Sequence, residues 1–289
     1  MPYPYQIWDV FTDTPLEGNP LAVVFEADGM PTERCQAIAR EFNLSETIFL
    51  TAGETARHGA RIFTPAEEMP FAGHPTVGGS IAAALRAGNG AEVTLDLPAG
   101  PTVCRVTLDS DARGRSTITA PKIPHLEAGV PDNAILASAL GLPEGAVGAG
   151  PLQPTRANSG PKWTVVPLAN PAHLETIALL RGVVAEFGDY ASTYVIAPTG
   201  PAAFRCRMFA PMSGIEEDPA TGSAAVAFAA VWHAATSPDD GVHELSITQG
   251  VEMGRRSEIS IAVTIAKSHI ANVDLSGAAV LIATGTLVA

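Results

Sequence analysis

The 289-residue chain contains little of what several protein classes require. Its three cysteines are widely spaced, and its seven histidines form no ligand pairing at helical spacing. A disulfide scaffold is therefore not expected, and no metal site is predicted. Only three of its 17 basic residues are lysines, and the net charge is −13. This charge argues against nucleic acid and against an anionic membrane surface as partners.

The chain also lacks the sequence signals of membrane and secreted proteins and the motifs of several enzyme classes. The apolar run at 224–231 is far shorter than a membrane span. The start of the chain has no basic segment followed by an apolar stretch, so a soluble, cytoplasmic protein is predicted. The chain also lacks a phosphate-binding P-loop, a dinucleotide-binding GxGxxG and a GxSxG nucleophile elbow. If the protein is an enzyme, we expect it to work without a cofactor.

One pattern occurs twice in the chain. RIFTP at 61–65 leads to GHPTVG at 73–78, and RMFAP at 207–211 leads to EDPATG at 217–222. Each copy is an apolar strand, a short loop, a polar side chain directly before proline, and a Gly/Ala-rich run predicted to form a buried helix. The polar group is an imidazole in the first copy and a carboxylate in the second, an asymmetry suited to proton transfer between two lobes.

The repeat predicts two similar domains, each with strands around one buried helix. The first is predicted to span 1–122 and the second 123–276, with 277–289 as a candidate return to the first. The boundary is placed in 121–131, which contains three prolines and a glycine. A further helix is predicted over roughly 171–187.

Three ionisable side chains are candidate catalytic groups. His74 lies at a predicted helix start, where free N–H groups favour an anion such as a substrate carboxylate. Asp218 occupies the matched place in the second copy. Each could instead only cap its helix. Glu46 lies at the edge of an apolar strand, where partial burial would suit it to take and return a proton near neutrality; the alternative is a solvated surface carboxylate.

Glycines near the helix starts are a second candidate feature. Gly222 and the adjacent Ser223 lie in a predicted first turn, where glycine costs about 1 kcal/mol of helix stability. A ligand approaching the backbone would explain this glycine, and the other half repeats the feature with Gly73, Gly78 and Gly79. Four acidic residues are predicted to be solvated loop charges without a catalytic role: Glu67, Glu68, Glu216 and Glu217.

Four segments together resemble the PhzF (phenazine-biosynthesis-like) isomerase family, which shares the diaminopimelate epimerase fold. They are NPLAVV at 19–24, LSET at 44–47, GHPT at 73–76 and EDPATGSA at 217–224. The match runs in order over almost the whole chain, and only the combination is specific. The resemblance implies an α+β fold with two pseudo-repeated domains. Each would be a mostly antiparallel β-sheet or barrel wrapped around a central helix, with the active site in the cleft between them.

The resemblance also implies roles for individual residues. Glu46 would be the proton shuttle, with His74 and Asp218 as orienting or assisting groups. Diaminopimelate epimerases of the thiol type have a cysteine before each central helix, whereas this chain has His74 and Asp218 there, which puts two-thiol racemisation in doubt. The implied substrate-binding residues are Asn19, Gly73, Gly222 and Ser223.

The resulting hypothesis is an isomerase, independent of cofactors, that moves a proton within a small carboxylic-acid substrate. Two alternatives stay open. One is an epimerase or racemase in which Glu46 and Asp218 act from opposite faces, and the other is a protein that binds a small carboxylate without chemistry. The expected partner is the substrate itself, and a symmetric homodimer is a further expectation.

Overall fold

The computed structural model describes residues 2–53, 56–88 and 92–288. In this part of the chain, five α-helices (α1 to α5) span Thr32–Phe42, Gly73–Ala87, Asn133–Leu140, Arg181–Ala185 and Gly222–Thr236. Strands β1 to β8 span Tyr3–Val10, Asn19–Val24, Glu46–Leu50, Arg57–Phe63, Glu68–Met69, Glu92–Leu97, Gly100–Ser110 and Arg113–Thr119. Strands β9 to β17 span His125–Glu127, Thr155–Asn158, Lys162–Pro167, Thr193–Pro198, Ala203–Ala210, Ile215–Asp218, Gly241–Gln249, Ser257–Ala266 and His269–Leu287.

The first of two compact units comprises Met1–Pro121, Arg255–Glu258 and Leu275–Ala289. Its strands close into an eight-stranded barrel in the order β1, β2, β3, β4, β6, β7, β8, β17 and back to β1. Two of these pairings, β2 with β3 and β4 with β6, are parallel. The pairings of β1 with β2 and β17, of β3 with β4, and of β7 with β6 and β8 are antiparallel. Helix α2 packs against six of the barrel strands, and its first twelve residues are all buried.

The second unit comprises Lys122–Gly254 and Ile259–Asp274. Its sheet runs β9, β10, β11, β12, β13, β15, with β14 folded back antiparallel onto β13. Helix α5 packs against β9, β10 and β11, and it is buried along most of its length. The predicted α+β class, with a sheet around a central helix in each unit, is confirmed. That the two helix starts share one cleft stays a prediction.

Helix α2 lies unusually close to the strands, and two glycines permit this approach. A Cβ at Gly78 would lie 2.6 Å from side-chain carbons of both Val10 and Leu21. One at Gly79 would lie 2.9 Å from a carbon of Ile48. Real Cβ atoms do not tolerate such contacts in a close-packed core. Helix–sheet packing therefore accounts for these two glycines without a ligand.

The prediction of one continuous helix over roughly 171–187 is wrong. The segment forms a 3₁₀ turn at Pro171–Thr176, the short helix α4, and another 3₁₀ turn at Gly188–Tyr190. Between the first turn and α4, the N–H groups of Ala178 and Leu180 donate to the last carbonyls of α3 instead of to carbonyls within their own segment. These tertiary hydrogen bonds replace the helical ones.

In the part of the chain that the structure describes, no helix is both long enough and apolar enough to cross a bilayer.

Candidate active site

Glu46 is the first residue of β3, four positions after Phe42, the last residue of α1. The helix stops because Asn43 adopts a left-handed conformation with φ of 52°, which turns the chain into the strand. Strand β3 then pairs in parallel with β2, with Glu46 opposite Leu21. The Glu46 side chain is 17% exposed. The alternative of a fully solvated surface carboxylate is therefore wrong.

His74 is the second residue of α2, and its side chain is only 3% exposed. Its Nδ1 lies 2.8 Å from Oε2 of Glu46, and its Nε2 lies 3.2 Å from the backbone carbonyl oxygen of Asn19. Asn19 is the fully buried first residue of β2. The structure thus brings three of the predicted site residues into one hydrogen-bonded row.

The chemistry of this row determines where protons can lie. A carbonyl oxygen only accepts hydrogen bonds, so Nε2 of His74 must carry a hydrogen. Nδ1 then has two possible states. Either it carries a second hydrogen and donates to an ionised Glu46, or it is bare and accepts the proton of a neutral Glu46. Both states place a hydrogen between Nδ1 and Oε2, and the 2.8 Å contact fits either of them.

The start of α2 offers backbone donors beside this pair. The residue preceding the helix is Ala72, which supplies no side-chain cap. The first N–H groups of a helix have no acceptor within it, and Pro75 has no N–H, so the intrahelical geometry leaves those of Gly73 and His74. The hydroxyl of Thr76 donates to the Ala72 carbonyl oxygen at 2.6 Å, which fixes this turn. Two N–H groups and the positive end of the helix dipole suit an anion.

Asp218 is 5% exposed, but it does not occupy the same place relative to its helix as His74 does. It is the last residue of β14, and α5 begins four positions later at Gly222. The two motifs match in sequence but enter their helices differently: the residue that directly precedes α5 is Thr221, and its side chain makes no capping hydrogen bond. Oδ2 of Asp218 accepts a hydrogen bond from the hydroxyl of Thr221 at 2.5 Å.

Gln249, which the sequence did not single out, lies at the centre of the polar contacts around Asp218. It is fully buried at the end of β15. Its Nε2 donates to the Asp218 carbonyl oxygen at 2.7 Å and to the Thr221 hydroxyl oxygen at 3.0 Å. Its Oε1 accepts from the Thr221 N–H at 3.1 Å and from the Cys206 thiol at 3.5 Å. No local sequence pattern marks a glutamine for this role.

Gly222 and Ser223 are the first two residues of α5, as the predicted first turn requires. Gly222 is buried, and the Ser223 carbonyl oxygen accepts a hydrogen bond from the Ser159 hydroxyl at 2.8 Å. Thr221, which precedes α5, makes no side-chain cap, as Ala72 makes none at α2. The first N–H groups of α5 also have no acceptor within the helix.

Three of the four acidic residues predicted to be solvated are paired with arginines: Glu216 is exposed and pairs with Arg181, whereas Glu68 and Glu217 are partly buried. Glu68 accepts two hydrogen bonds from Arg61 at 2.7 and 2.6 Å, and Glu217 accepts two from Arg207 at 2.8 and 2.7 Å. In each half, the arginine of the repeated strand thus clamps the strand that folds back beside it. The Arg207–Glu217 pair lies directly next to Asp218. The repeat itself was the signal for this missed feature, because Arg61 and Arg207 open its two copies.

The cysteines do not supply a basic thiol pair. All three are free and buried. Burial raises the pKa of the Cys35 and Cys206 thiols, and that of Cys104 to about 12. These thiols are therefore protonated near neutrality. Within residues 2–53, 56–88 and 92–288, no group of three His, Cys, Asp or Glu side chains is arranged to hold a metal ion.

The chain matches the family model of the phenazine biosynthesis-like (PhzC-PhzF) proteins over residues 8–285. An uncharacterized isomerase of Mesorhizobium japonicum is 40% identical, over 98% of this chain and 98% of the relative. A trans-2,3-dihydro-3-hydroxyanthranilate isomerase of Pseudomonas chlororaphis is 33% identical, over 98% of this chain and 99% of the relative.

A solved structure has the same fold. The crystal structure of a PhzF-family phenazine biosynthesis protein of Bacillus anthracis superposes with a TM-score of 0.88 at 25% identity, and all of both chains is covered. Both relatives named above are isomerases, and the protein is an enzyme of this class. From the extent of the family match and the identity to these relatives, the chain belongs to the phenazine biosynthesis-like (PhzC-PhzF) protein family.

Proposed function

We propose that the protein is a cofactor-independent isomerase that shuttles a proton within a small carboxylic acid, with Glu46 as the acid and base. The observation that carries the proposal is the contact of 2.8 Å between Nδ1 of His74 and Oε2 of the partly buried Glu46. A group that must both take and return a proton needs two accessible protonation states of similar free energy.

In the proposed reaction, the base is the ionised form of Glu46. An N–H of His74 holds Oε2, which leaves Oε1 to take a proton from a carbon atom next to the substrate's conjugated or carboxylate-bearing centre. The neutral acid then returns the same proton to another carbon of the substrate and becomes ionised again. Protons balance over the cycle, and the chain's own groups are sufficient for it.

The negative charge that develops on the substrate during proton removal needs stabilisation. The proposal assigns the substrate carboxylate to helix N-termini, whose N–H groups donate to anions without reorganisation. The binding residues are then Gly73 at the start of α2, and Gly222 and Ser223 at the start of α5. Asn19, whose carbonyl oxygen holds His74, and Asp218 are proposed as further positioning or assisting groups.

The decisive variant is Glu46→Gln, which keeps the shape but cannot take a proton. Turnover is expected to fall about 10²- to 10⁴-fold, the usual contribution of a positioned acid or base. The first compound to assay is trans-2,3-dihydro-3-hydroxyanthranilate, because a relative at 33% identity is named for its isomerisation. If Glu46→Gln loses little turnover on a substrate that the native protein converts, the shuttle assignment is wrong.

Isotope transfer separates the proposal from its alternatives. With a substrate deuterated at the migrating position, a single shuttling base is expected to carry much of the deuterium into the product in ordinary water. Uptake of solvent hydrogen with inversion would instead support an epimerase that uses Glu46 and Asp218. Tight binding of a small carboxylate with no turnover would support a binding protein. The homodimer and the cytoplasmic location stay predictions.

A further inference from the structure

We propose that Gln249 is a positioning residue that sets the direction of the hydrogen bonds around Asp218 and thereby holds Asp218 as a carboxylate. The importance of a fixed hydrogen-bond acceptor at Asp218 for catalysis rests on the proposed function. The orientation of the hydrogen bonds rests only on the geometry of the second unit.

The orientation of the Gln249 amide follows from a partner that can only donate. The backbone N–H of Thr221 can only donate, and it lies 3.1 Å from one end of the amide. That end must therefore be the oxygen, Oε1, and the other end must be the NH₂ group, Nε2. The thiol of Cys206, 3.5 Å from Oε1, agrees with this assignment because it can donate to an oxygen.

With the amide fixed, the hydrogen of the Thr221 hydroxyl is best placed on Asp218. One hydrogen of Nε2 goes to the Asp218 carbonyl oxygen, and the other goes to the Thr221 hydroxyl oxygen, where it fills one of the two acceptor positions. Gln249 thus turns the lone pairs of this hydroxyl toward itself, and Oδ2 of Asp218 is the acceptor for its hydrogen. The hydroxyl oxygen lies 2.5 Å from Oδ2, a length typical of a hydroxyl that donates to a carboxylate.

The amide of Gln249 is buried and held by hydrogen bonds at both ends. It is 0% exposed, and both of its hydrogens and one of its acceptor positions are taken by Asp218 and Thr221. The Cys206 thiol, which also contacts the Tyr194 hydroxyl, lies 3.5 Å from the same oxygen. An amide in this setting cannot flip without losing hydrogen bonds in a buried, low-dielectric place. Oδ2 of Asp218 therefore always faces a donor, and a hydrogen bond donated to a carboxylate favours its ionised form.

This arrangement differs from the one in the first unit. The contact between Glu46 and His74 fits a hydrogen on either partner, whereas the Gln249–Thr221–Asp218 chain is oriented toward the carboxylate. The two copies of the repeat thus provide one shared hydrogen and one fixed acceptor.

The test is a direct titration of Asp218 by carbon-13 NMR of the aspartate carboxyls, with the signal assigned by Asp218→Asn. It needs neither substrate nor turnover. Thr221→Val keeps the side-chain shape and the N–H but removes the hydroxyl, so the midpoint of Asp218 protonation is expected to rise by about one pH unit, a tenfold change in its protonation constant. Thr221→Ser keeps the hydroxyl and is the matched control, with a midpoint close to the native one.

Gln249→Met removes the orienting amide while keeping a similar volume, and it should raise the midpoint in the same direction. An unchanged midpoint in Thr221→Val would overturn the inference. So would an unchanged midpoint in Gln249→Met, because Thr221 would then orient itself alone. Should Thr221→Val not fold, Gln249→Met tests the inference by itself. Failure of the proposed function would appear elsewhere, as retained turnover in Glu46→Gln.

Other charged and titratable groups near Asp218 are the same in all these variants. They are the Arg207–Glu217 pair beside it, the Arg205–Glu252 pair, and Cys206 with Tyr194 behind Gln249. Because the comparison is between variants that differ only at Thr221 or Gln249, the contributions of these groups to the midpoint cancel to first order. The expected readout in turnover is a lower kcat with a smaller change in KM for Thr221→Val, restored by Thr221→Ser.

Discussion

The hydrogen-bond row through His74 makes a prediction about folding stability that is independent of any substrate. Two substitutions of Glu46 should remove its chemistry equally but affect stability differently. In Glu46→Gln, the side-chain NH₂ can donate to a bare Nδ1 while Nε2 still donates to the Asn19 carbonyl oxygen. Both ring nitrogens stay satisfied and no charge is left behind. In Glu46→Met, of similar length, Nδ1 has no partner.

The size of the difference follows from burial. His74 is 3% exposed, so water cannot replace the lost partner freely. A buried polar group left without a hydrogen bond costs about 1–3 kcal/mol, whereas the exchange of a charged for a neutral partner in a satisfied pair should cost less than about 1 kcal/mol. We therefore expect Glu46→Met to unfold at a clearly lower urea concentration than Glu46→Gln, with both nearly inactive.

The assay is urea unfolding followed by circular dichroism, with turnover measured on the same samples. The matched control is Glu244, an exposed glutamate on strand β15. Its Gln and Met variants should unfold together, because neither leaves a buried group unsatisfied. Equal midpoints for Glu46→Gln and Glu46→Met would refute the reasoning, since Nδ1 of His74 would then not depend on position 46.

Three further predictions concern packing and turns. Gly78→Ala should lower the free energy of unfolding by about 1–2 kcal/mol, because overcrowding outweighs the better helix propensity of alanine. Gly182→Ala in α4, where the new Cβ meets nothing within 4 Å, should raise it by about 0.5–1 kcal/mol. Equal gains in the two variants would disprove the close approach of α2. The turn between β16 and β17 places Lys267 and Ser268 at φ of 53° and 62°, so replacement of the two by Asn-Gly should stabilise by about 1 kcal/mol in urea unfolding. The N–H groups of that turn donate to Asp240 and lower its pKa. The ionised carboxylate therefore stabilises the fold at a pH above the ordinary aspartate range, and this stabilisation is lost as the pH falls through the lowered pKa. In Asp240→Asn, the free energy of unfolding should accordingly change less between about pH 5 and pH 2.

The features that sequence can predict are those that depend on local pattern. Helix α2 has no polar face over most of its length, and such a helix must be buried. The apolar strand predicted beside Glu46 is found as β3, Glu46–Leu50, where a β-branched and aromatic run follows the helix stop at Asn43. The repeat also places His74 and Asp218 near helix entries.

The features that sequence cannot predict depend on partners far along the chain. The hairpin of β16 and β17 turns at Lys267 and Ser268 and lacks the Asn-Gly signal, so no local pattern marks the start of β17 at His269. Gln249 lies 31 positions from Asp218, and nothing local distinguishes it from a surface glutamine. Its role appears only when β15 pairs in parallel with β13 and brings it to the end of β14.

The two copies of the repeat share one construction and diverge in the group it holds. In both, an arginine on the repeated strand clamps a glutamate on the strand that folds back, and a buried polar group comes next, before or within the first turn of a helix. The same ion pair occurs in both units because each has a short strand, β5 or β14, that pairs antiparallel with the repeated strand and is held there by the pair. The buried polar group after the arginine–glutamate pair differs between the units. His74 contacts the Glu46 carboxylate, with which it can share a proton. Asp218 accepts from the Thr221 hydroxyl, which Gln249 orients. If the proposed reaction is correct, loss of either pair, Arg61–Glu68 or Arg207–Glu217, should displace the buried polar group that follows it. Only loss of the Arg61–Glu68 pair should alter the hydrogen bond between Glu46 and His74.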